Sequence, residues 1–248
     1  MLKPFFSIII PTLNEENFLP FLLKDLMRQT FKNFEVIHID GQSEDKTIVL
    51  AQQFNSKIKI QSFIVKKRNV SFQRNIGAEK AVGSWLIFMD ADDRLPINFL
   101  QLINSKLIKK PKIDLFSTYI KIKEKNLAFK AFAEIINLQI DLSNILNLKP
   151  RALGSMIGIK KELFKKIKFS EKNKICEDAF FIAQAKKQNL KFIIFKTPKY
   201  YYSLRRLHKE GILKMLKIIT KIQIYYTKGS KFESYDCGYK MKGGSYYK

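Results

Sequence analysis

Apolar positions along this chain switch repeatedly between the period of a strand and the period of a helix. Residues 5–10 form a short apolar, β-branched run closed by Pro11, where the missing donor ends a buried strand. After the polar turn Thr12-Leu13-Asn14-Glu15-Glu16, Phe18, Leu19, Phe21, Leu22 and Leu26 recur as one face of a helix to about Gln29. Residues 34–40 read as a second strand ending in an acid, Asp40. Residues 41–45 then make a turn with a helix N-cap. A helix to about Phe54 and a strand near 58–65 complete a β-α-β-α-β order, which predicts an α/β fold with a doubly wound, mostly parallel sheet flanked by helices.

Residues 71–81 predict a helix, and the glycine inside it, Gly77, costs about 1 kcal/mol relative to alanine unless a close backbone approach requires it. The next strand, Trp85-Leu86-Ile87-Phe88-Met89, is apolar on both faces and runs into Asp90-Ala91-Asp92-Asp93. Open α/β sheets bind ligands at the carboxyl ends of their strands. Three acids there repel one another unless a cation lies between them, and Mg²⁺ carrying phosphates suits one or two carboxylates. A solvated acidic turn is the competing reading of the same four residues.

Further along, a helix carries Phe99, Leu100, Ile103 and Leu107, a strand is expected over 114–123, and one or two helices over 127–148. A small-residue strand over 154–159 and a short basic helix over 161–167 follow. Ile175-Cys176-Glu177-Asp178 opens a helix to about Gln188, where acids in the first turn also suit the helix dipole. Residues 192–195 and 200–203 look like two more strands.

Composition narrows the class. With 248 residues, 46% hydrophobic and 21 phenylalanines, the chain folds rather than remaining disordered. Two cysteines, Cys176 and Cys237, give neither a disulfide framework nor a zinc pattern, so a reducing compartment is expected. No apolar stretch approaches the ~18 residues that span a bilayer. The start, Met1-Leu2-Lys3-Pro4, runs straight into the first strand, so no leader is expected. The net charge of +24 is unevenly placed: residues 1–100 hold 13 Lys and Arg against 11 Asp and Glu, and residues 101–248 hold 33 against 11. A basic C-terminal part points to an anionic partner, unless the bias is compositional drift.

Taken in order, Ser7-Ile8-Ile9-Ile10-Pro11-Thr12-Leu13-Asn14-Glu15, Asp40-Gly41-Gln42-Ser43-Glu44-Asp45, Arg74-Asn75-Ile76-Gly77, Asp90-Ala91-Asp92-Asp93 and Glu177-Asp178 resemble the motifs of family 2 glycosyltransferases of the GT-A fold. The resemblance covers about residues 5–205. It implies inverting transfer of one sugar from a nucleotide-sugar donor, a UDP-sugar favoured, to a glycan or lipid-linked acceptor in cell-surface glycan or glycolipid synthesis. Pro11, Thr12, Asn14 and Glu15 would cradle the base and ribose, and Asp40 would accept a hydrogen bond from the base. Arg74 would approach the phosphates, with Asp90 and Ala91 beside the nucleotide. Asp92 would bind Mg²⁺ or Mn²⁺, Asp178 would be the general base, and Glu177 would orient or cap. Ser203-Leu204-Arg205-Arg206 resembles a Ser-x-Arg-Arg stretch of some members, which would set Arg205 and Arg206 at the pyrophosphate. His208 is a candidate further metal ligand, though a lone histidine is more often structural.

The chain also departs from the family. The Gln-x-x-Arg-Trp signature and membrane helices of processive members are absent, which implies one sugar per encounter. Ile167-Lys168-Phe169 stands where Gly-Gly-Phe often precedes the Glu-Asp pair. Three regions are expected: a catalytic domain over 1–205, an amphipathic helical extension over 206–228 and a loosely ordered basic tail over 229–248. In the extension Lys214, Lys217 and Lys221 share one helix face, which suits either an anionic membrane surface or packing on the core with the lysines in water. The chain is accordingly expected in the cytoplasm, with peripheral contact at the inner face of the membrane. Two other functions compete. A basic nucleic-acid-binding protein would need aromatics interleaved with its basic residues or a recognised module, and neither is present, so no nucleic acid is expected. A nucleotidyltransferase usually needs a glycine-rich, lysine-bearing loop after the first strand, and residues 11–16 lack it.

Overall fold

Seven strands make one sheet in the order β3-β2-β1-β4-β6-β5-β7. The computed structural model describes residues 3–145, 155–173, 175–227 and 243–244. Strand β1 (Phe6–Thr12) is buried along its whole length and lies near the middle of the sheet. It pairs in parallel with β2 (Phe34–Asp40), from Phe6 opposite Phe34 to Thr12 opposite Asp40, and with β4 (Trp85–Met89), from Phe6 opposite Trp85 to Ile9 opposite Phe88. Successive side chains point to opposite faces of a strand. Ile8 and Ile10 therefore join the core on one side of the sheet, and Ile9 joins the core on the other.

The chain reaches β2 through α1 (Leu19–Met27) and the edge strand β3 (Ile60–Ile64) through α2 (Thr47–Gln52). Helix α3 (Val70–Lys80) then crosses back over β2 and β1 to deliver β4 on the other side of β1. That reversal makes the gap between the carboxyl ends of β1 and β4 the switch point of the sheet. Gly77 allows the crossing: a Cβ there would lie 2.4 Å from Cγ2 of Ile9, so the close approach expected from the sequence is present.

The second half continues with α4 (Phe99–Lys109), β5 (Leu115–Lys121), α5 (Leu127–Ile145), β6 (Met156–Lys160), α6 (Lys161–Phe164), α7 (Glu177–Lys187), β7 (Phe192–Tyr201), α8 (Arg205–Glu210) and α9 (Ile212–Thr227). Strand β6 runs antiparallel to both β4 and β5, so the sheet is mixed but mostly parallel, as expected. One expectation fails. The two strands anticipated over 192–195 and 200–203 are a single ten-residue strand, β7. The strand runs through Pro198 because β7 is at the edge of the sheet, where one missing donor is tolerated.

Helix α5 is tied to β5 by Asn137 and by the Tyr119 hydroxyl, which donates to Asp141. Asn137 accepts from the Ile120 N–H at 3.0 Å and donates to the Ile120 carbonyl at 2.9 Å. Ile120 lies where the β5–β7 register shifts, so Asn137 serves backbone groups at the irregularity. Phe132 of α5, Ile175, Leu207 of α8, and Met215 and Ile218 of α9 form a third apolar cluster. The amphipathic helix therefore packs on α5 and α8, with Lys214, Lys217 and Lys221 exposed. The division expected after residue 205 falls inside α8. Of the tail expected to be loose, only Gly243 and Gly244 lie among the described residues. The Gly244 N–H donates to the Leu13 carbonyl at 2.9 Å, and a Cβ on Gly244 would be 1.7 Å from the Asn14 carbonyl oxygen.

Candidate active site

The carboxyl ends of β1 and β2 are tied together by buried polar side chains. Thr12 Oγ1 donates to Asp40 Oδ2 at 2.7 Å and lies 2.8 Å from His38 Nε2. Because the threonine proton is committed to Asp40, Nε2 of His38 is the donor to Thr12 and Nδ1 accepts from Ser62, 3.0 Å away. Burial pushes the His38 imidazole down to about 4, against a smaller upward pull from Asp40, which keeps the ring neutral. Asp40 also accepts from the Ser43 N–H and hydroxyl at 2.7 and 2.6 Å. Gln73 of α3 donates to the carbonyls of Thr12 and Ile39 at 2.8 and 2.9 Å, closing the two strand ends over one another.

This network shapes the loop after β1. Asn14 has a left-handed backbone, φ 57°, and accepts from the Glu44 N–H at 2.8 Å while its own N–H donates to Ser43. The Glu15 N–H donates to Thr47 Oγ1 at 2.8 Å. Pro11, Thr12, Asn14 and Glu15 thus form one continuous edge. Asp40 is fully buried and braces that edge through Ser43 and Thr12.

At the end of β4 the acids separate by environment. Asp90 is about two-fifths exposed and accepts from Arg74 Nη2 at 2.9 Å. Asp92 lies 2.7 Å from Arg205 Nε, and the same guanidinium holds Glu15 with both Nη atoms at 2.7 and 2.8 Å. Arg205 therefore bridges an acid of the β1 loop and an acid of the β4 loop, a charge-assisted fork that residues 190 positions apart complete. Burial raises the Glu15 carboxyl to about 7 against the lowering pull of Arg205. Asp92 is raised for the same reason and opposed by the same arginine. Asp93 is almost wholly buried, and burial together with the Asp92 and Asp90 charges pushes it well above the carboxylate range. No hydrogen bond of normal geometry reaches its oxygens among the described residues, although the Ser155 hydroxyl lies close enough to offset part of the rise. Burial and the crowding of three acids act in the same direction on Asp93, against its charged form.

Arg74 connects these acids to α7. It is 2% exposed, and besides Asp90 it donates through Nη1 to Glu177 Oε1 at 2.8 Å, with its guanidinium over the Phe169 ring. Glu177 is buried and Asp178 half-buried. The Asp178 charge also acts on Arg74. Cys176 precedes the helix in a left-handed conformation, φ 59°, and turns the chain sharply into α7. It is half-buried and packs against the third apolar cluster. Arg74, Asp90, Asp178 and Arg206 line one cavity of about 310 Å³.

Two candidates lie elsewhere. His208 is half-exposed, with Nε2 2.6 Å from Glu124 and its ring edge-on to Phe129, so it is not brought to the β4 acids. Ala91 packs into the apolar core. The sequence reading missed Gln73, His38 and Asn137, whose partners are carbonyls or hydroxyls from other elements and leave no local pattern.

The donor set has the chemistry of a nucleotide-bound divalent cation. Among the described residues no three His, Cys, Asp or Glu side chains converge on a point. Asp92, with Asp90 beside it, offers the one or two carboxylates that Mg²⁺ or Mn²⁺ takes when phosphates supply the remaining oxygens. Arg205 holds Asp92 in this structure, so a cation at Asp92 would require that contact to give way.

Comparison with known proteins agrees with this geometry. The model of "Glycosyl transferase family 2" matches residues 7–168, a stretch that ends before Asp178. The minor teichoic acid biosynthesis protein GgaB of Bacillus subtilis is 29% identical over 211 residues, which cover 81% of this chain and 23% of that protein. The chain therefore spans about a quarter of that relative. Among solved structures, Staphylococcus aureus TarS 1-349 in complex with UDP-GlcNAc superposes with a TM-score of 0.64 at 23% identity, over 79% of this chain and 58% of that one. The mannosyltransferase PcManGT of Pyrobaculum calidifontis, in complex with GDP-Man and Mn²⁺, superposes with a TM-score of 0.66 at 16% identity, over 90% of this chain and 65% of that one. Those two likenesses concern the fold, which is GT-A. The sheet order, the acids at its switch point and the match over 7–168 lead to one assignment: the chain belongs to glycosyl transferase family 2.

Proposed function

We propose that the protein transfers a single sugar from a nucleoside-diphosphate sugar, with UDP as the favoured nucleotide, to an acceptor hydroxyl, with inversion at the anomeric carbon. One observation carries the reading: Arg74 ties Asp90 of the β4 loop to Glu177 of α7, so Asp90 and Asp178 adjoin one cavity. The teichoic acid relative and the UDP-GlcNAc complex of TarS support a UDP-sugar and a role in cell-surface polymer synthesis.

The base and ribose lie along the edge formed by Pro11, Thr12, Asn14 and Glu15. Asp40 holds that edge and keeps acceptor capacity on Oδ1 for a ring N–H. Asp92, with Asp90, holds Mg²⁺ or Mn²⁺, which when bound neutralises charge developing on the pyrophosphate. Arg205 exchanges its contact with Asp92 for the leaving phosphates, and Arg206 approaches from the cavity side. The acceptor oxygen attacks the anomeric carbon from the face opposite the nucleotide. Its proton passes to Asp178, the bond from the anomeric carbon to the diphosphate oxygen breaks, and the nucleoside diphosphate departs. Glu177 holds Arg74, and through it the start of α7, in place. The exposed lysines of α9 are the surface for peripheral contact with an anionic membrane.

A thermal-shift panel of UDP-, GDP- and dTDP-sugars with and without Mn²⁺ tests the reading, because a ligand bound only by the folded state raises its stability. A rise with a UDP-sugar that requires Mn²⁺ is expected. No rise with any nucleotide sugar would overturn it.

A further inference from the structure

The cavity beside Asp178 has a polar end and an apolar body. At the polar end are Arg74, Asp90, Asp178 and Arg206. The body lies between two helices. Phe132, Ile136 and Ile140 recur on one face of α5, and Met215, Ile219 and Ile222 recur on one face of α9. Ile175, Cys176 and Leu207 close the space between them. Asn137 pins α5 to β5, and Ile218 seats α9 in the third apolar cluster, so both walls are held from behind.

Such walls discriminate between acceptors. A glycan's hydroxyls would lose their water against these walls, and most would find no partner there. Water is a poor occupant too, since an ordered molecule needs two to four polar contacts. A hydrocarbon chain loses nothing on entering. Outside the cavity α5 exposes Leu138 and Leu142, and α9 exposes Leu213 together with Lys214, Lys217 and Lys221. This combination suits the interface where anionic amphiphiles reside.

We propose that the acceptor is an anionic amphiphile. Its apolar chain lies between α5 and α9, its anionic link lies toward Arg206, and its hydroxyl is presented to Asp178. The proposal rests on the glycosyltransferase reading and names its acceptor class.

Butyl, hexyl and octyl phosphate, each below its micelle concentration, test it by calorimetry, with inorganic phosphate as the chainless control. Each buried methylene multiplies affinity by about four, so affinity should climb by about tenfold or more from one member to the next. Ile136→Trp and Ile219→Trp, two independent ways to fill the cavity, should remove the dependence on chain length. Lys217→Glu should retain it. Equal affinity for all three chains in the wild-type protein would overturn the proposal in favour of a soluble glycan acceptor. A dependence that survives both tryptophan variants would overturn it in favour of adsorption on the outer helix faces. UDP binding with Mn²⁺ is measured in the same samples. Its absence would sink the glycosyltransferase reading by itself, whereas UDP binding without chain-length dependence would sink only the amphiphilic acceptor.

Discussion

At the carboxyl ends of β1 and β2 the buried side chains are polar and paired; between α5 and α9 they are apolar. Asp40 accepts three hydrogen bonds, and Thr12, His38, Ser43 and Gln73 each join the same network. Across Arg74, the cavity body is made of helix faces whose spacing resembles that of any packed core. The difference matches what the proposed function asks of each side. A nucleotide presents a fixed set of donors and charges, which a rigid polar edge matches. An apolar chain presents only surface, which two spaced helix faces accommodate. Arg74 lies at the polar end of that cavity and joins two sides of it, the β4 loop through Asp90 and α7 through Glu177.

Removing that link should have the largest effect on stability. Arg74→Ala leaves Glu177 buried without its countercharge, and breaking a buried pair costs about 3–5 kcal/mol. Because Asp90 is partly exposed, the lower end of that range is expected in urea unfolding at pH 7. A loss below ~1 kcal/mol would mean that the two sides are held together by something else.

His38 isolates the polar side. Its folded pKa of about 4 lies below its ordinary value of 6.5. Between those values the folded state binds fewer protons than the unfolded state, so its contribution is present above 6.5 and is lost as the pH falls through 4. At about 1.4 kcal/mol per unit the loss approaches ~3 kcal/mol. The unfolding free energy of His38→Gln, followed from pH 7 to 4, should fall less than that of the wild-type protein. Parallel curves would place the acid sensitivity elsewhere.

A smaller effect sharpens how α3 is held against the sheet. Gly77→Ala puts a methyl 2.4 Å from Ile9, and overpacking of this kind costs about 1–3 kcal/mol. The melting temperature should drop. An unchanged melting temperature would show that α3 can shift without loss.

The polar side was largely legible in the sequence because its residues sit in short local motifs. Largely apolar runs that give way to polar residues at Thr12, Asp40 or Asp90 announce the carboxyl edge of a parallel sheet, although Pro11, expected to close β1, lies one residue inside it. The bridge from Arg205 to Glu15 and Asp92 was not legible: its partners are separated by up to 190 positions, and the Ser-x-Arg-Arg stretch pointed Arg205 at phosphates rather than at two acids of other loops. The ten-residue β7 was expected as two strands, but it runs through Pro198 because proline's rule against strand interiors does not hold at an edge. The cavity was hidden for a different reason. Residues at i, i+4 and i+7 show that a helix face is covered, not whether protein or ligand covers it.

The most direct test separates the two carboxylates assigned to the two sides. UDP binding is measured by calorimetry with and without Mn²⁺ in the wild-type protein, Asp92→Asn and Asp178→Asn, with nucleoside diphosphate release followed in parallel. The account predicts Mn²⁺-dependent UDP binding in the wild-type and Asp178→Asn proteins and its loss in Asp92→Asn. Turnover in Asp178→Asn should fall by about 10²–10⁴, the usual contribution of a general base. Undiminished Mn²⁺-dependent UDP binding in Asp92→Asn, or undiminished turnover in Asp178→Asn, would contradict it.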